Sequence, residues 1–130
     1  IGEINDIHPS NKHDVGYRLA GLALKNDYNK KLTASGPIYK NYEVKGNEIF
    51  IAFNSIGTGL VLNSNKESEF EIAGNNKIFY KAKAKIVGKR ISISSREVVK
   101  PMYVRYAWSD VSIATLFNKE GLPASSFSTE

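Results

Sequence analysis

Histidine 8 is one of two histidines in the chain and stands in the stretch Asn5-Asp6-Ile7-His8-Pro9. An imidazole that takes a proton from a nucleophile needs a rigid mount and a nearby acceptor that orients its second nitrogen. Pro9 restricts His8 to an extended backbone and keeps the following helix from starting earlier. Asp6, two residues before the histidine, or Glu3, or a main-chain carbonyl of Asn5 or Asp6, is then the candidate acceptor. The same spacing also suits a loop histidine that only caps or packs, and spacing alone does not choose between the two.

The residues after this loop must supply the mount. Residues 11–28 read as an amphipathic helix, with Val15, Leu19, Leu22 and Ala23 at spacings of three and four. Ser10 or Asn11 is placed to cap it, and Asp14 complements the positive end of its dipole. From Pro37 the period changes. Seven runs of strand type come next, 38–44, 48–53, 59–62, 70–73, 78–87, 90–94 and 102–108, with turn residues between them at Gly46-Asn47, Gly74-Asn75-Asn76 and Gly88-Lys89. The expected fold is mainly β, an antiparallel β-sandwich of immunoglobulin-like or jelly-roll-like type preceded by one α-helix. Its inner face should include Ile49, Ile51, Ile72, Ile91 and Val104. Trp108, at the end of the last run, is expected as a core anchor rather than a sugar platform.

Composition narrows the partners. At 130 residues and 42% hydrophobic content, one sizeable core is expected. No run of about 18 apolar residues is present, so no membrane partner is expected. Zero cysteines exclude a disulfide scaffold, a zinc–thiolate site and a cysteine nucleophile, and leave the compartment open. The net charge of +5 raises nucleic acid as a partner. The one dense basic group is Lys77, Lys81, Lys83 and Lys85, and from Lys81 to Lys85 it alternates with Ala82 and Ala84, which is the pattern of a solvated strand face. No nucleic acid partner is expected.

The stretch GEINDIHPSNKHDVGYRLAGLAL resembles the last block of SGNH-type hydrolases, in particular of the sialate O-acetylesterase family of carbohydrate esterases. The resemblance rests on His8-Pro9, Asn11-Lys12 and Gly16-Tyr17-Arg18-Leu19-Ala20. Further along, SGPIYKNYEVKGNEIFIAF, GTGL, FEIAG, VRYAW and LFNKEGLPASSF resemble the β-domain that comes after the hydrolase core in that family.

The resemblance implies that residues 1–30 end an SGNH α/β hydrolase domain and that residues 31–130 form the β-sandwich. It implies a bacterial serine esterase, periplasmic or secreted, that removes acetyl groups from sialic acid or related sugars without a cofactor or metal. His8 would be its general base and Asp6 its orienting group. The family's usual acid, three residues before the histidine, corresponds here to Asn5.

A nucleophilic serine would lie upstream, since only seven residues precede His8 and none is a serine. Ser55, Ser94 and Ser109 lack a glycine-elbow context. The chain is thus expected to be the C-terminal portion of the esterase, inactive alone, with its N-terminal catalytic part and an O-acetylated sugar as partners. A different class stays open: an accessory carbohydrate-binding or structural β-module, in which Tyr39, Tyr42, Tyr103 or Tyr106 would face a sugar.

Overall fold

A computed structural model describes residues 2–130; Ile1, the first residue of the expected 1–30 segment, lies outside the described residues. The chain divides into two compact units, Ile1–Ser35 and Gly36–Glu130. The first holds one helix, α1 (His13–Asn26), two residues shorter at each end than the periodicity suggests.

Lys12 precedes α1 with helical dihedrals and makes no side-chain cap, so the capping role moves back one residue. Asn11 Oδ1 accepts the Asp14 amide at 3.1 Å, and Asn11 Nδ2 donates to the Asp14 carboxylate at 2.8 Å. That reciprocal pair satisfies an amide that a helix start otherwise leaves bare. The other end closes where Asn29 takes a left-handed conformation (φ 52°), which asparagine tolerates better than most residues. No residue of α1 is buried, and the stripe predicted from periodicity stands open, with Leu19 61% exposed.

In the second unit ten strands replace the expected seven runs. They are β1 (Ile38–Lys45), β2 (Glu48–Asn54), β3 (Leu60–Leu62), β4 (Phe70–Ala73), β5 (Phe79–Lys81), β6 (Lys83–Val87), β7 (Arg90–Ser94), β8 (Tyr103–Tyr106), β9 (Leu116–Asn118) and β10 (Phe127–Ser128). One sheet runs β1-β2-β7-β6, a second β10-β8-β4-β5, and β3 pairs with β9, every pair antiparallel.

The hairpin turns are set by their glycines. Gly46 and Gly88 have φ 61°, while Asn47 and Lys89 are not among the residues with positive φ. A positive φ at the first central position alone is the type II′ signature, whose twist matches that of the flanking strands.

The two four-stranded sheets close over one core. Ile49, Ile51 and Phe53 of β2 and Ile91 and Ile93 of β7 meet Phe70 and Ile72 of β4 and Val104 and Tyr106 of β8. The five residues expected on the inner face, Ile49, Ile51, Ile72, Ile91 and Val104, are all fully buried. Each such side chain contributes about 1.5–3 kcal/mol by leaving water. The fold is the mainly β, antiparallel sandwich that the alternation predicts.

Two departures have a physical reason. The run 78–87 reads as one strand but is split at Ala82, whose amide donates to the Phe70 carbonyl at 2.9 Å before the chain crosses from the second sheet into the first. Alternation continues through the corner, so the local pattern carries no mark of it; strands that switch sheets make the corners of such sandwiches. The second departure is Trp108. The strand ends at Tyr106 because Ala107 takes a positive φ of 49°, breaking the period of two that would have carried Trp108 to the inner face. Trp108 is 54% exposed and is not a core anchor.

Candidate functional site

The loop before α1 is held by two carboxylates. The Asp6 carboxylate accepts the main-chain amide of His8 at 2.7 Å, a turn in which an aspartate side chain stands in for a backbone carbonyl two residues away. Glu3 Oε1 accepts both the amide of Ser10 at 2.8 Å and its hydroxyl at 2.6 Å. These bonds, the hydroxyl first, hold the Glu3 carboxyl below its ordinary range. Asp6 and Glu3 therefore bracket His8-Pro9 from both sides by fixing main chain.

The imidazole itself is exposed, and among the described residues it takes no hydrogen bond. Of the candidate acceptors, Asp6 is engaged with the amide of His8 and Glu3 with Ser10. Asn5 is exposed. The second histidine, His13, opens α1 with Nδ1 3.6 Å from the Asp14 carboxylate. What the arrangement supplies chemically is an accessible imidazole on a stapled loop, ahead of a helix whose apolar stripe is uncovered. No group of three or more histidine, aspartate or glutamate side chains able to hold a metal occurs among the described residues.

In the β-unit, each of the four tyrosines that the alternative reading would turn towards a sugar makes contacts within the sandwich. Tyr106 is fully buried, and its hydroxyl accepts the amides of Thr115 at 2.9 Å and Leu116 at 2.8 Å. Tyr39 stacks on Phe127 at 4.8 Å between ring centroids, and burial pushes its phenol up. The Tyr42 hydroxyl donates to the Met102 carbonyl at 2.9 Å, and the Lys77 ammonium covers the Tyr103 ring at 5.5 Å. Tyr106 is thus inside and faces no ligand, while the other three are partly buried and engaged.

Arg105 is likewise engaged, with Nε 2.6 Å from Glu71 and its guanidinium 4.1 Å over the Phe79 ring. Asn118 ends β9, where its Oδ1 accepts the Leu122 amide at 2.9 Å, and Gly121 supplies the left-handed residue (φ 81°) of that turn. Ser109 pairs with Ser112 at 2.9 Å across a surface turn.

Sequence reasoning passed over a polar corner in the first sheet. Lys83, Ser94 and Arg96 share a cleft there, and the signal was present in the lysine–alanine alternation, read only as a solvated face.

No protein-family model matches the chain, and no curated protein matches it. Among solved structures, the chain is similar to the crystal structure of a novel carbohydrate acetylesterase from Xanthomonas citri, at 38% sequence identity and a TM-score of 0.93. The similarity covers 100% of this chain and 31% of that one, so the chain spans about a third of the length of the protein it matches.

Proposed function

We propose that this chain is the C-terminal portion of a sialate O-acetylesterase of the SGNH type, and that His8 is the general base of its active site. The observation that carries this reading is the likeness, at 38% identity and over the whole chain, to part of a carbohydrate acetylesterase. The His8-Pro9 motif on its stapled loop agrees with it.

In this reading a serine in the preceding part of the protein attacks the acetyl carbonyl while the His8 imidazole takes its proton. The imidazolium returns that proton to the departing sugar oxygen, which leaves the acetyl group on the serine. Water then attacks that ester with His8 again as base, releasing acetate and the free serine. The substrate is an O-acetylated sialic acid or related sugar, the location periplasmic or secreted, and no cofactor is used. The uncovered stripe of α1 would pack into the hydrolase domain.

Asp6 is a positioning residue here, because its bond to the His8 amide orients the backbone that carries the ring. In the full-length enzyme, His8→Ala lowers kcat on an acetylated sugar by about 10⁴-fold or more. Asp6→Asn retains an oxygen that accepts the same amide and costs less than about tenfold, against about 10⁴ for the carboxylate of a full triad. Wild-type kcat in the His8→Ala enzyme overturns the catalytic reading. A loss of triad size in Asp6→Asn overturns the positioning role alone.

A further inference from the structure

The row Lys81, Lys83, Lys85 is not uniformly neutralised. Lys85 pairs with Glu48 at 3.0 Å, and Lys81 lies 3.9 Å and 3.8 Å from Glu69 and Glu71. Lys83 between them has no carboxylate within 4.0 Å among the described residues, and the same holds for Arg96 and Lys66. The register explains how these cations meet. The strand switch at Ala82 turns that residue inward and leaves Lys81 and Lys83 on the outside of the corner. Lys83 lies opposite Ser94 in the β6–β7 ladder.

Beside that pair, a cleft of about 450 Å³ is lined by Lys83, Arg96, Asn47, Ser94 and Ser95 together with Lys81 and Glu97. The Glu97 carboxylate is turned onto the Ser95 hydroxyl at 2.7 Å, and that bond, then its own main chain and the neighbouring Arg96 charge, hold its pKa below the ordinary range. A second cleft, of about 300 Å³, is lined by Lys83 again, with Lys66, Asn63, Ser64 and Ser68 among its polar residues and no carboxylate. Lys83 thus stands in the wall of both.

We propose that the two clefts sharing Lys83 are a binding site for an acidic oligosaccharide, with one carboxylate between Lys83 and Arg96 and a second near Lys66. Each cleft is of the size that holds a small ligand. The Lys83 and Lys66 ammonium groups, with no carboxylate within ion-pair distance among the described residues, and the Arg96 guanidinium, whose charge also acts on Glu97, supply charge-assisted bonds to carboxylates, and the asparagine and serine side chains match sugar hydroxyls. No aromatic ring lines either cleft. A neutral sugar that depends on stacking, or a single-stranded nucleic acid that depends on base stacking, lacks its platform there.

The test uses the 130-residue chain and reads binding alone, so it stands apart from any esterase assay. ¹⁵N-labelled protein is titrated with digalacturonate, with its neutral methyl ester, and with inorganic phosphate. Digalacturonate is expected to shift the amides around Lys83, Ser94, Ser95 and Arg96, and the other two probes are not. Lys83→Ala and Arg96→Ala should each weaken binding by about tenfold, the lower range for a hydrogen bond to a charged group. Lys85→Ala, whose ammonium is already paired with Glu48, should leave it unchanged, and preserved spectral dispersion shows that each variant is folded. Absence of shifts, equal response to the methyl ester, equal response to phosphate at the same amides, or equal weakening by Lys85→Ala each overturns the proposal.

Discussion

Removing one oxygen from the core, by Tyr106→Phe, should destabilise the β-unit far more than the change in volume suggests. The Tyr106 ring packs 4.6 Å from Phe70 and 6.0 Å from Phe127, centroid to centroid, and phenylalanine keeps those contacts. The hydroxyl is what changes, since it accepts two main-chain amides, those of Thr115 and Leu116, in a buried setting. The β3–β9 ladder offers the Leu116 amide no acceptor. The Asn63 amide donates to the Thr115 carbonyl at 2.8 Å, which marks residues 63 and 115 as a hydrogen-bonded pair of the β3–β9 ladder. The adjoining pair, Leu62 and Leu116, is then the non-bonded kind, and its amides point away from the partner strand.

Each buried amide left bare costs about 1–3 kcal/mol, offset in part because the phenol no longer has to be dehydrated. The net loss is about 2–4 kcal/mol, a large share of the stability of a domain this size. Urea denaturation of the two proteins, monitored by far-ultraviolet circular dichroism, measures it as a lower midpoint at unchanged slope. A difference below about 0.5 kcal/mol would mean that both amides find other acceptors, and would refute the assignment of Tyr106 as the anchor of the 107–115 connection.

Two further outcomes concern the β-unit. Gly36→Ala places a Cβ 1.9 Å from the Pro123 carbonyl oxygen, and because that atom is backbone it has little room to move; a loss of about 3 kcal/mol in thermal or urea unfolding is expected, and a neutral substitution would contradict the close approach. The Glu120 carboxylate accepts the Thr58 amide and hydroxyl, both at 2.8 Å, and these bonds, the amide first, depress its pKa below the usual 4.5. The stabilisation from a depressed carboxylate is present above the unfolded value and is lost as pH falls through the folded one, so hydrogen exchange of the Thr58 amide should accelerate, relative to its intrinsic rate, only below about pH 4.5. Glu120→Gln should remove that acid-dependent step; an unchanged profile in the variant would assign it elsewhere.

How much of this was legible in the sequence depended on how local the cause was. The sandwich core could be read from Ile49, Ile51, Ile72, Ile91 and Val104 because a strand repeats every two residues, and a buried face writes that repeat into the chain. The hairpins at Gly46 and Gly88 were legible for a similar reason, since a positive φ is costly for residues with a Cβ. The His8-Pro9 block and the start of α1 were visible as a motif.

Other features were decided by contacts between distant residues. Ala82 looks like any inward residue of a continuous strand, and only the Phe70 carbonyl, twelve positions earlier, shows that the chain changes sheets there. Trp108 has the composition of a core residue, yet the positive φ at Ala107 turns it out. β9 and β10 are too short to carry a period and exist because β3 and β8 offer edges to pair with. The choice of Asp6 to hold the His8 amide, and of Glu3 to hold Ser10, comes from hydrogen-bond geometry that residue spacing leaves degenerate. The clefts at Lys83 are the same kind of case: alternation placed three lysines outward, but which one keeps an unpaired charge was settled by where Glu48, Glu69 and Glu71 fall in neighbouring strands. Periodicity is a property of one strand, whereas charge compensation is a property of the sheet register.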